Sequence, residues 1–307
     1  MSGDENPTDG GPASGSSARR TDGGAAGDGV TASEPATADT GTGLLGRLFP
    51  TGFRSLFRRE VLRFVRRPRN TFLPPAITNV LSFAVFGIIL GGRIREIAGF
   101  PYIVFILPGL IVLGAISNAF ENASFSIYHG RWNEYIHEVL TSPLPYGSMV
   151  LAYVLSSALR GVLVGIIIGA VGLAFTILSP GIDPIGVAKP LYLVAFMLVI
   201  CLLFASFGVV GGLWARDFDY LTVLTQFIVR PLVFFGGVFY SLDILPSTFR
   251  TLSLLNPMVY MVNGVRYGFL GYSDVQPDAA LLVLSGLTVA VVALDIVLFR
   301  RGYGLVD

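Results

Sequence analysis

Six long apolar runs leave this sequence few ways to fold. They cover residues 71–90, 102–120, 161–178, 191–215, 221–240 and 280–299. A helix needs about 20 mostly apolar residues to cross a bilayer, and each run meets that need. Backbone N–H and C=O groups find no partner in hydrocarbon, so such runs fold as helices that satisfy their own hydrogen bonds. Composition agrees. Of the 307 residues, 53% are hydrophobic and 13% charged, whereas soluble domains carry about 25% charged residues. The expected fold class is an all-α integral membrane protein with six transmembrane helices.

Arginine placement orients the runs, because basic residues are retained on the cytoplasmic side. Arg54, Arg58, Arg59, Arg63, Arg66, Arg67 and Arg69 precede the first run. Arg131, Arg216, Arg300 and Arg301 fall on the same side after two, four and six crossings. Arg93 and Arg95 are the local exception, and Arg250 and Arg266 also fall outside. Both termini are therefore expected in the cytoplasm, with the chain in the cell membrane.

Three segments are expected. Residues 1–43 hold almost no large apolar side chain and cannot offset their ordering entropy, so they read as a disordered acidic cytoplasmic tail. They lack the basic start and apolar core of a signal peptide. Residues 44–70 contain an amphipathic helix for the membrane interface. Phe53, Phe57, Val61, Phe64 and Val65 recur at helical steps, and Arg59, Arg63 and Arg66 lie opposite, toward lipid phosphates. Glu60 falls on the apolar side and needs an arginine or a partner there. Residues 71–307 form the six-span domain.

Charges inside apolar runs are costly and informative. The third run begins its apolar character at Met149, and Arg160 divides it. Placing Arg160 at the cytoplasmic headgroups leaves 161–178 as the crossing and projects 149–159 inward. The fifth run carries Arg230 about 15 Å from its start, followed by Pro231. Two roles are open for Arg230. It pairs with an acid such as Glu121 or Asp295, or it lines a path for an anionic group beside Phe234 and Phe235. After Arg230 the chain is interrupted by Pro246, Asn256 and Pro257 and then carries Arg266. Proline ends a helix by removing an N–H and clashing one turn back. The expected structure is a broken, partly re-entrant helical element on the extracellular side.

Several function classes find no support. Lys189 is the only lysine and precedes Pro190, whereas a P-loop ends in Gly-Lys-Ser/Thr. His129 and His137 stand eight apart, not at the spacing of a zinc-binding HExxH pair. Cys201 is the single cysteine. No catalytic residue or metal site is expected, and a net charge of +1 argues against a nucleic-acid partner. The inner connection after the second run reads HGRWNEYIHEVLTSPLPYG. Between Gly130 and Ser142 it predicts a helix over 131–141. Trp132, Tyr135, Ile136 and Val139 share one face of it, and Asn133, Glu134, His137 and Glu138 share the other. Such a helix suits docking into a groove of another protein, or lying on the membrane.

The strings FFGGVFYSLDILP and NPMVYMVNGVRYGFLG, with GLWARDFD, GGRIRE and the inner loop, resemble the ABC-2 type transporter permeases. These are the membrane subunits of one class of ATP-driven exporters. The resemblance covers roughly everything after residue 55. It implies two permease copies, expected as a homodimer, and two ATP-binding cassette ATPase subunits. ATP and magnesium are then bound by the ATPase, and no cofactor by this chain. It also implies that the helix bearing Trp132, Asn133, Glu134, Tyr135, His137 and Glu138 sits in a cleft of the ATPase. The path for an amphipathic or lipid-linked substrate would lie between the two permeases, amid membrane lipid. The alternative class is an ion-coupled secondary transporter with no ATPase. Such carriers mark ion paths with intramembrane acids, and Glu121, Asp217, Asp219 and Asp295 stand at or near run ends.

Overall fold

The computed structural model describes residues 51–94, 96–178 and 186–305. The tail expected over 1–43, the start of the 44–70 segment and Arg95 lie outside them.

Helix α1 (Thr51–Val65) leads into α2 (Pro68–Ser82), which continues as a π-helical stretch over Phe83–Leu90. A two-residue hairpin pairs Glu96–Ile97 with Phe100–Pro101. It turns on Ala98 and Gly99, both at positive φ, as the tight two-residue turn requires. It is the one departure from helix pairing among the described residues. Then come α3 (Tyr102–Trp132), α4 (Ile136–Thr141), α5 (Tyr146–Leu178) and α6 (Pro190–Trp214). The fifth apolar run is built from α7 (Phe218–Val223), a π-helical turn (Leu224–Val229) and α8 (Arg230–Phe234). A 3-10 turn (Leu242–Ile244), α9 (Ser247–Leu254), α10 (Pro257–Leu270) and α11 (Pro277–Arg300) complete the fold.

Four helices, α3, α5, α6 and α11, are long and apolar enough to cross a membrane. The two remaining runs are helical but irregular, and prolines are present in both. Pro74 and Pro75 lie inside α2. Pro231 stands two residues past the end of the π-helical turn; a wide turn before a proline relieves its clash with the preceding carbonyls. The fifth run ends at Phe234, not at Tyr240, because the chain turns through Gly237 at φ 78°, a conformation that favours glycine.

Helix α3 is the centre of the bundle, packed along its length by α5 and α6. Lipid gives helices no hydrophobic reason to associate, so close approach of small residues does the work. Ala115, Ala119 and Ala123 form a stripe on α3 that faces Gly161 of α5 and Gly208 of α6. A Cβ at Gly161 would stand 2.7 Å from the Ala115 carbonyl oxygen, and one at Gly208 would stand 2.5 Å from that of Phe120. Overpacking of this kind costs about 1–3 kcal/mol. Gly208→Val is therefore expected to lower the thermal midpoint of the detergent-solubilised protein by about 5 °C. An unchanged midpoint in a fluorescence-detected melt would show that α3 and α6 have room to spare.

The structure adds detail at three places. Arg160 does not interrupt the helix: α5 is continuous over 33 residues. Its first half is apolar because it is buried in protein, through Met149, Val150, Ala152, Tyr153 and Val154, and not because it meets lipid. Helix α1 buries Phe53, Leu56, Glu60 and Phe64, while Phe57 and Val61 are only half-buried and Val65 is exposed. This stripe docks on α5. Finally, α10 packs inside the fold. Met258, Val259, Met261, Val262, Gly264 and Val265 are buried along it, and Gly264 lets the Phe196 ring of α6 lie against its backbone.

Candidate functional site

The inner loop differs from the expected single helix over 131–141. Helix α3 runs through Gly130 to Trp132, and the chain reverses at Glu134, which holds φ 61°. Gly130 stays helical because its missing side chain makes room for the returning loop. A Cβ there would stand 3.1 Å from Ile136 and 3.4 Å from Tyr135. The expected shared face splits accordingly. Ile136 and Val139 are buried and anchor α4, whereas Trp132 is 70% exposed and stacks on Tyr128 at 6.2 Å. Asn133, Glu134, His137 and Glu138 are exposed beside it, and Tyr135 is half-buried.

A polar network lies under this loop and ties α1, α3 and α5 together. Glu60, 3% exposed at its side chain, bridges Arg59 at 3.1 Å and Arg63 at 3.2 Å and accepts from Ser126 Oγ. Arg63 donates to the backbone and side-chain oxygens of Asn122, both at 3.2 Å. Asn122 donates to Ser157 Oγ at 2.9 Å. Arg160 donates to Asn122 Oδ1 and Asn118 Oδ1 at 3.1 and 3.3 Å. The need for a partner that the sequence assigns to Glu60 is met from its own helix, as burial of a carboxylate demands.

Arg131 joins the same end to α6. Its Nη1 donates to the carbonyls of Gly212, Leu213 and Ala215 at 3.0, 2.9 and 2.9 Å. The last carbonyls of a helix have no partner within it and carry partial negative charge, so a guanidinium caps them well. Sequence reasoning used Arg131 only for orientation. Its position one residue before a loop tryptophan was the available signal.

The broken element lies about 39 Å away along α3, counting from Arg131 to Phe105 at about 1.5 Å per residue. Pro246 precedes α9. Asn256 caps α10, its Oδ1 accepting from Met258 N at 3.0 Å, with Pro257 at the first helical position. Asn256 Nδ2 also donates to the Leu232 carbonyl at 2.8 Å, joining the start of α10 to α8. Arg266 is wholly buried. It donates to the Gly237 carbonyl at 2.6 Å, faces the Phe105 ring at 3.9 Å, and lies 3.7 Å from Asp274. Asp274 in turn accepts from Ser241 Oγ and Tyr272 Oη, both at 2.7 Å, and from Leu242 N at 3.2 Å. Burial, then the bond to Asp274, pushes the Tyr272 phenol up to about 12, so it donates throughout the neutral range. Asp274 was missed in the sequence, where it reads as one acid of a polar turn.

Arg230 opens α8 and is exposed. No described residue makes a direct bond to its side chain, and Glu121 lies within electrostatic reach. The direct pairs considered for it are thus not formed. Asp295 is wholly buried; Ser206 is its polar neighbour, but among the described residues neither carboxylate oxygen makes a hydrogen bond of good geometry. Phe234 and Phe235 are 44% and 68% exposed. Val229 and Leu232, which flank Arg230, line an apolar cleft of about 330 Å³ with Phe120, Phe207, Trp214 and Met258. Arg230→Leu is expected to leave the fold intact, because no described residue bonds to the side chain, as measured by a fluorescence-detected melt of the detergent-solubilised protein. A clearly lowered midpoint would show that Arg230 holds α8 in place.

Long apolar helices packed around α3 are the build of a multi-pass membrane protein. Residues 51–270 match the family model described as ABC-2 type transporter, and the chain belongs to that family. It is 36% identical over 258 residues to the inner membrane transport permease YadH of Escherichia coli (strain K12), covering 84% of this chain and 98% of that protein. It is also 24% identical over 223 residues to nodulation protein J of Rhizobium leguminosarum bv. viciae, covering 71% and 82%. Nodulation protein J of Rhizobium leguminosarum bv. trifolii is 26% identical over 230 residues, covering 72% and 82%. Membership makes this a cell-membrane transport permease and implies an ATP-binding cassette ATPase as partner.

Proposed function

We propose that the chain is the permease subunit of an ABC exporter and forms, as a homodimer, the path for an amphipathic or lipid-linked substrate. The observation that carries this is the exposed Trp132 loop, set on a network that reaches three helices. ATP and magnesium bind the partner ATPase. Closure of the ATPase dimer pulls the Trp132–Glu138 loop. Buried Ile136 and the Glu60–Arg63–Asn122 ties carry the pull into α1, α3 and α5 as one body, a rigid-body route to alternating access. The π-interrupted segments 68–90 and 218–234 supply the two crossings that complete six. Helix α1 lies at the cytoplasmic interface, and both termini are cytoplasmic. The apolar cleft beside the lone Arg230 guanidinium suits a substrate with an apolar body and an anionic group.

Asp295 favours a second reading, the ion-coupled carrier, because a buried unpaired carboxylate is the mark of such paths. Transport into inverted vesicles separates the two. Uptake is expected to require ATP and to persist when the proton gradient is collapsed; uptake driven by the gradient without ATP would establish the carrier. Topology is checked with Gln276→Cys, an exposed position. Labelling of Gln276→Cys is expected from outside the cell only, and labelling from the cytoplasm would invert the assignment.

A further inference from the structure

A groove runs between α1 and the turn that follows α3. One wall is a single stripe of α1, Ser55, Arg58, Arg59, Leu62, Arg63 and Arg66, and the other is Tyr135. Steps of three and four place all of these on one side of the helix. The groove therefore gathers four guanidiniums against one carboxylate. That carboxylate, Glu60, is already committed to Arg59, Arg63 and Ser126. Among the described residues, the side chains of Arg58 and Arg66 have no hydrogen-bond or ion-pair partner, and both are exposed. A concave surface with unbalanced positive charge concentrates anions. The planar fork of guanidinium matches phosphate oxygens in particular.

The position of the groove selects the source of the phosphate. Two residues beyond Arg66 the chain enters α2. The side chains of Leu73, Ile77 and Leu81 on α2 are 54%, 58% and 64% exposed, an apolar surface left uncovered by the described residues of this chain. The arginines thus stand where a lipid-facing surface begins, which is headgroup depth. Leu62 on the groove floor and exposed Val65 beside it offer contact to the upper acyl chain. A soluble anion would use none of these.

The groove is also wired to the inner loop. The Arg59 guanidinium lies 5.3 Å from the centre of the Tyr135 ring and donates to Tyr153 Oη at 3.4 Å. Tyr135 is the residue immediately before α4. An anion drawing on Arg59 changes its hold on Tyr135 and hence the setting of the loop.

We propose that this groove binds the phosphate of an anionic phospholipid of the inner leaflet, and that occupancy sets the Tyr135–α4 loop for coupling to the ATPase. The proposal rests on the cytoplasmic placement of α1 given under the proposed function.

The complex of permease and ATPase is placed in nanodiscs of phosphatidylcholine alone or with one third phosphatidylglycerol. Native mass spectrometry counts retained phosphatidylglycerol, and ATP hydrolysis is measured in both. Wild type is expected to retain phosphatidylglycerol and to hydrolyse ATP severalfold faster with it, the gain fading as salt rises. Arg58→Gln with Arg66→Gln removes two surface charges and is expected to cut retention roughly thirtyfold and to abolish the gain. Tyr135→Leu is expected to keep the lipid and lose the gain. Equal retention by the charge variant would overturn the site. A gain that persists in Tyr135→Leu would overturn the coupling. Stimulation by millimolar inorganic phosphate in phosphatidylcholine would reassign the groove to a soluble anion. Loss of the ATPase from the charge variant would reassign it to protein docking. A wild-type permease that recovers no ATPase at all would instead sink the exporter reading, while lipid retention on the permease alone still tests the groove.

Discussion

Asp274→Leu is expected to destabilise the protein by about 3–5 kcal/mol, the cost of stranding a buried charge. Arg266 would then keep only the Gly237 carbonyl, Asn263 Oδ1 at 3.4 Å and the Phe105 ring, and it has no route to water. Arg266→Leu is expected to cost less, because Asp274 keeps its bonds from Ser241, Tyr272 and Leu242 N. The asymmetry is the useful part. Thermal melts of detergent-solubilised variants should rank Asp274→Leu below Arg266→Leu, with Asp274→Asn nearest to wild type because the amide oxygen still accepts. The double Leu variant should lose less than the two single losses added together, since each removes the other's stranded partner. A melt of Asp274→Leu that matches wild type would show that the ion pair and its bonds do not hold the broken element.

Trp132→Ala is expected to leave the fold intact and to weaken recovery of the ATPase about thirtyfold. A side chain 70% exposed contributes little to its own protein's stability. A tryptophan at a docking centre commonly carries 2 kcal/mol or more of binding, about thirtyfold in affinity. Glu138→Lys, also exposed, is expected to act in the same direction through charge. Ile136→Ala is the contrasting variant. Ile136 is wholly buried, so its truncation should cost about 2–5 kcal/mol of stability and lower the amount of folded protein instead. Pull-down of the ATPase on immobilised permease, normalised to folded permease, separates the two kinds of loss. Normal recovery and transport with Trp132→Ala would move the docking surface elsewhere.

The four long spans and the break at Asn256 and Pro257 were legible in the sequence. A length of about 20 apolar residues and a proline are local properties, and they act on the backbone wherever the chain goes. The roles of the charges were harder to read. Arg160 reads in sequence only as a charge in an apolar run, and its partners Asn122 and Asn118 stand 38 and 42 positions away. Arg230 was weighed against Glu121 and Asp295, and neither bonds to it. The expected docking helix became the end of α3, a turn and the six-residue α4. Gly130 reads as a breaker in sequence, yet the folded loop needs that glycine to stay helical.

The sequence by itself determined that the chain is helical, membrane-bound and interrupted near residues 246–257, because length, apolarity and proline are felt residue by residue. Only the tertiary structure decided which charges are buried and what they do. Arg266 is wholly inside because Gly237, 29 positions away, presents a carbonyl to it and Asp274 presents a carboxylate. Glu60 is inside because α3 brings Ser126 to it, 66 positions along. A charge is buried only where all of its partners are in place, and the Gly237 carbonyl and the Ser126 hydroxyl come from segments that no local window of sequence joins to Arg266 or Glu60.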